Sequence, residues 1–122
     1  MLDHVTIGVA DLERSKTFYD QALGAIGIMR LYAEGEAFAG YGRDRKAFFW
    51  IGQKKEAIAG THVAFAVGDR AAVERFHAAA LAGGGRDNGG PGLRPHYHPD
   101  YYGAFVLDPD GHNIEAVCRA PA

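Results

Sequence analysis

Two histidines stand at matching places in this chain. His4 opens the strand-like run DHVTIGV, and His62 opens THVAFAV. A third run, HNIEAVC, carries Glu115 at its centre. Two imidazoles and one carboxylate on inward strand faces form a donor set for a divalent ion such as Fe, Mn, Zn or Ni. The set works only if all three side chains converge at about 2.0–2.2 Å from one point. A lone buried carboxylate is costly unless it is paired or metal-bound, which gives Glu115 a reason to seek such partners. The same residues also have plainer uses, as strand histidines that each satisfy a hydrogen bond and as an acid on an exposed strand face. Spacing alone leaves both open. A second concentration of functional groups is RPHYHPDYY, residues 94–102. There His98 and Tyr101, and after them His96, are candidates for proton transfer or substrate orientation. The alternative is a Pro-stiffened loop whose aromatics pack at a subunit contact.

The elements that must position these groups are legible as periodicities. Val5, Ile7 and Val9 alternate with His4, Thr6 and Gly8, the period of a strand with two unlike faces. Asp11 is placed to cap a helix whose apolar stripe runs through Leu12, Ser15, Phe18, Tyr19, Ala22 and Leu23, with Gly24 and Gly27 at its end. The second half repeats the unit at a constant offset. His62-Val63 answers His4-Val5, Asp69 answers Asp11, Phe76 answers Phe18, and Gly85 answers Gly27. Three strands are expected between the copies, over Ile26 to Tyr32, Glu36 to Tyr41 and Lys46 to Ile51. After the second helix, Arg86 to Arg94 reads as a loop with a short edge strand near its start. Strands follow over Tyr101 to Leu107 and His112 to Cys118, joined by a tight Asp108-Pro109-Asp110-Gly111 turn. Each copy thus reads βαβββ. Module one covers about 1–52 and module two about 61–119 of a single 122-residue domain.

Strand parity sets the orientation of the candidates. The large apolar faces should cover the helices, so His4 and His62 look away from them over small residues. Asn113, Glu115 and Val117 share one face, and Cys118 lies on the other, in the core. Asp100, Asp108 and Asp110 are expected as turn residues. His77 is expected on the surface, and so is His112, which adjoins the turn.

Composition narrows the field. A net charge of −2 gives no basis for binding nucleic acid or an anionic membrane. The apolar runs are too short to span a bilayer. Strand-like residues begin directly after Met1, so no signal peptide fits, and the single Cys118 allows no internal disulfide. A cytoplasmic protein is expected.

The runs DHVTIGVADLERSKTFYDQALG and FVLDPDGHNIEAV, within a likeness that covers nearly the whole chain, resemble the vicinal oxygen chelate superfamily. That superfamily includes glyoxalase I, extradiol dioxygenases, fosfomycin-resistance transferases and bleomycin-binding proteins. The resemblance implies an α+β fold in which paired βαβββ modules curl into an open barrel with helices outside. It also implies His4, His62 and Glu115 as metal ligands, and a homodimer. Glyoxalase I takes a further ligand from the last strand of the first module, where Trp50 stands here. This argues against isomerisation of glutathione hemithioacetals. Extradiol dioxygenases and fosfomycin transferases place a tyrosine where this chain has Phe105, ten residues before Glu115. Thr6 matches a substrate-contacting threonine of the fosfomycin enzymes. Phe48, Trp50 and Phe105 would wall the cavity. The implied function is a metal-dependent lyase, isomerase or dioxygenase-like enzyme acting on a small oxygenated substrate. The competing class is a non-catalytic binder of bleomycin-resistance type.

Overall fold

A computed structural model describes every residue except Glu36 and residues 56–59. The expected strand start at Glu36 and part of the Gln53-to-Gly60 connection therefore lie outside the described residues. The chain runs β1 (Val5–Val9), α1 (Leu12–Gly24), β2 (Met29–Glu34), β3 (Phe38–Arg43), β4 (Lys46–Gln53), β5 (His62–Ala66), α2 (Arg70–Ala82), β6 (Arg86–Asp87), β7 (Gly92–Leu93), β8 (Tyr102–Leu107) and β9 (Asn113–Cys118). The fold is α+β, with two mixed sheets. The first has the order β1-β4-β3-β2; the second has β5-β9-β8-β6, with β7 also on β8. In each, the first strand of the module lies parallel to the last.

Both helices begin as their sequences require. Asp11 accepts from the Arg14 amide at 3.1 Å and Asp69 from the Ala72 amide at 2.8 Å, so each carboxylate satisfies a free helix-end donor. The helices and the large faces of both sheets enclose one shared core. Phe18, Leu23, Ile51, Phe76 and Ile114 are fully buried in it. Phe49 meets Phe65 edge-on at 5.3 Å, joining the two sheets. Burying each such side chain contributes about 1.5–3 kcal/mol.

The opposite face of each sheet stays open. On the first, Thr6 pairs in register with Trp50, and Trp50 with Gly40. The indole lies flat over that glycine, where an added Cβ would come within 2.7 Å of the ring. Tyr32 stacks on it with centroids 5.8 Å apart.

Candidate functional site

On the open face of the second sheet, Glu115 sits in the middle of β9, opposite Ala64 on one side and Phe105 on the other. His62 pairs with Asn113, which makes it a diagonal neighbour of Glu115 on the same face. Its Nε2–H donates to Glu115 Oε1 at 2.8 Å. The other carboxylate oxygen accepts from the Tyr101 hydroxyl. Glu115 is 1% exposed, so both oxygens have exchanged water for protein donors. Tyr101 reaches the carboxylate because Gly103 lies between. An added Cβ there would stand 3.2 Å from the Tyr101 ring and 3.4 Å from Glu115 Oε2. Burial, and then the carboxylate it faces, push the Tyr101 hydroxyl up to about 12.

A cavity of about 510 Å³ opens above this pair, lined by His62, His96, Tyr97, Tyr101, Phe105, Glu115 and Arg119. Its size is that of a small-molecule site. The 94–102 segment forms one wall. Arg94 holds it in shape by donating to the carbonyls of Gly92 and Gly90 at 2.8 and 2.9 Å, with its guanidinium over the Phe105 ring. Tyr97 packs edge-on against Tyr101.

His4 lies elsewhere in the chain. Its Nδ1 is 2.8 Å from Asp3 Oδ1, and it lines two other depressions. One, of about 360 Å³, is lined by residues of both sheets, among them Val5 and Phe48 of the first and Val63 and Ala66 of the second. The other, of about 250 Å³, is formed with Thr6, Phe38 and Trp50. One chain thus joins His62 to Glu115 and leaves His4 apart. Among the described residues no three His, Cys, Asp or Glu side chains gather around a common point.

The family model described as "Glyoxalase/Bleomycin resistance protein/Dioxygenase superfamily" matches residues 1–116. The chain belongs to this superfamily. A glyoxalase/bleomycin resistance protein from Albidiferax ferrireducens T118 is 35% identical, with a TM-score of 0.83 over 97% of this chain and 98% of that one. A putative glyoxalase from Bacillus halodurans is 26% identical, with a TM-score of 0.72 over 97% and 95%. A glyoxalase-related enzyme from Fulvimarina pelagi shares the fold at 21% identity, TM-score 0.75, over 97% and 87%.

Within this superfamily member the remaining candidates divide. Tyr101, His96 and Phe105 line the cavity beside His62 and Glu115. Thr6 and Trp50 belong to the open face of the first sheet, and Phe48 to the depression lined by both sheets. His98 faces its own loop, where Nδ1 accepts from the Asp100 amide at 3.1 Å, and it does not line the cavity. Cys118 is buried with Val73 and Ala104, opposite the Glu115 face, as parity requires. His77 is largely covered and lies 2.8 Å from Asp87.

His112 corrects an expectation. It is 1% exposed rather than at the surface, and its Nε2–H donates to the Gly8 carbonyl at 2.9 Å. The physical reason is that the turn folds against the other module. Asp108 is likewise buried, whereas Asp110 receives the Ala10 amide at 3.1 Å.

Arg119 had no assigned role. The signal for it was parity, since Glu115, Val117 and Arg119 alternate onto one face, but Arg119 stands just past the end of β9.

Proposed function

We propose that this chain is a metal-dependent enzyme of lyase, isomerase or dioxygenase type, acting on a small oxygenated substrate in the cavity beside Glu115. The observation that carries the reading is a buried carboxylate with one oxygen at His62 Nε2 and the other fixed by Tyr101. The pair fits a metal in the chemistry of its donors, since an imidazole nitrogen and a carboxylate oxygen are both groups that such ions take, and the two stand together at one cavity. Loading an ion would displace the Nε2 proton, so binding is expected to release it. His4 would complete the set from a second copy, with module one of each subunit covering module two of the other in a homodimer.

An Fe, Mn, Zn or Ni ion held there would supply Lewis acidity toward substrate oxygens. The chain's own groups do the rest. Tyr101 pins the glutamate so that one oxygen faces the cavity. Phe105 and Tyr97 exclude water from the ligand's body. His96, at the cavity wall, is within the site as a proton carrier. A cytoplasmic location belongs to the same proposal.

A second reading rests on the Tyr32–Trp50 stack, an open aromatic surface suited to holding a flat molecule without catalysis. Metal analysis of protein purified without chelator, repeated on His62→Ala, separates the two. The enzyme reading expects stoichiometric metal that the variant loses. Absence of metal from both supports the binder.

A further inference from the structure

We infer that the cavity beside Glu115 takes a monocarboxylate, anchored by Arg119. The inference rests on the proposal above only in treating that cavity as the substrate site. Arg119 lines it, with its Cζ 5.0 Å from the centroid of the Tyr101 ring. Tyr101 is 8% exposed and tied through its hydroxyl to Glu115, so the ring is a fixed platform. Stacking on it orients the guanidinium while leaving its edge N–H groups free to donate. Among the described residues Arg119 enters no ion pair, whereas Arg14 and Arg30 each meet an aspartate. A planar fork of donors at a cavity wall matches a carboxylate in two parallel hydrogen bonds.

Among the described residues that line the cavity Arg119 is the one Lys or Arg, so it offers an anionic ligand a single anchoring point, enough for one carboxylate. The rest of the wall is aromatic, from Tyr97, Tyr101 and Phe105. The ligand is therefore a carboxylate with a short apolar or aromatic body beside Phe105 and Tyr97, its far end toward His62 and Glu115.

The test compares benzoate, phenylacetate and 3-phenylpropionate with their own amides, titrated into the full chain as purified and followed by ligand-observed NMR. At least one acid is expected to bind roughly tenfold or more tightly than its amide. In Arg119→Met that acid should fall to the amide's affinity, and Arg119→Lys should keep part of the preference. An unchanged melting temperature would show that both variants are folded. If no acid is preferred over its amide, including the case in which none binds, the inference is wrong. It is also wrong if Arg119→Met keeps the preference, which an acid held at His62 and Glu115 instead would produce. His62→Ala tests the metal and leaves Arg119 in place, so loss of metal with retained acid preference separates the two proposals.

Discussion

The Tyr19 hydroxyl, on α1, donates to the Asp108 carboxylate 2.5 Å away, on the turn between β8 and β9. Both groups are buried, and they belong to different modules. Asp108 also accepts from the amides of Asp110 and His112, both at 2.9 Å. The turn is therefore a clasp, completed by Asp110 on the Ala10 amide and by His112 on the Gly8 carbonyl. Removing one partner of a buried hydrogen bond leaves the other desolvated and short of a donor. Tyr19→Phe is thus expected to destabilise the fold by about 1–3 kcal/mol. Urea midpoints of the variant and the parent check this; equal midpoints would mean that the clasp contributes nothing.

Alkaline pH should loosen this contact and two like it, Tyr41 on Asp20 and Tyr101 on Glu115. Burial, and then Asp108, hold the Tyr19 hydroxyl well above its ordinary range; burial and Asp20 do the same for Tyr41, and Tyr101 is raised to about 12. An unfolded tyrosine ionises near pH 10. A folded-state value above that keeps the native phenol neutral, so its contribution to stability is complete below about pH 10. It is lost as pH rises from there through 12 and beyond. The urea midpoint should be insensitive to these groups up to about pH 9 and then fall. Tyrosinate absorbance from the three should appear together with unfolding. Reversible titration of all three near pH 10, with the fold intact, would contradict the assignment.

Much of this architecture is legible in local pattern, because local pattern encodes it. The Asp11 and Asp69 caps, the helical stripes and the alternation that turns His62 and Glu115 to one face are each set by neighbours a few residues away. What escaped was set by distant contacts. His112 follows a turn, where exposure is the ordinary expectation, and only its bond to Gly8 on the other module makes it a core residue. His98 stands in a segment rich in functional groups, yet the winding of that loop commits its Nδ1 to a backbone amide. Matching positions in a repeat say that His4 and His62 face alike within their own modules. They do not say that one chain brings the two faces together.

Tyr101 offers a sharper probe of the site than a ligand deletion. Tyr101→Phe keeps the ring that supports Arg119 and removes only the hydroxyl on Glu115 Oε2. If Glu115 holds a metal, losing this support should weaken metal affinity by about 10–100-fold. Competition with a chromogenic chelator would measure it. The acid-over-amide preference should survive, because Arg119 and its platform remain. Unaltered metal affinity would remove Tyr101 from the positioning role.

The open face of the first sheet supplies the last prediction. Phe38 is 48% exposed and Tyr32 47%, beside Trp50 and on the face that also carries Thr6. Large apolar side chains clustered on an open sheet face mark a contact surface more often than a solvated one. If a second copy covers this face, a charge at Phe38 would be buried without a partner, while the free subunit would keep it in water. Phe38→Glu should then weaken self-association by about 2 kcal/mol or more, the scale of an interface hot spot. The melting temperature should reflect only the loss of the partner. Sedimentation velocity over a concentration series reads the effect directly. The same variant should bind less metal at low protein concentration, because His4 would no longer be delivered to the partner's His62 and Glu115. A dimer that persists unchanged in Phe38→Glu would place the subunit contact on another face, and metal retained by the monomer would require the third ligand to come from within one chain.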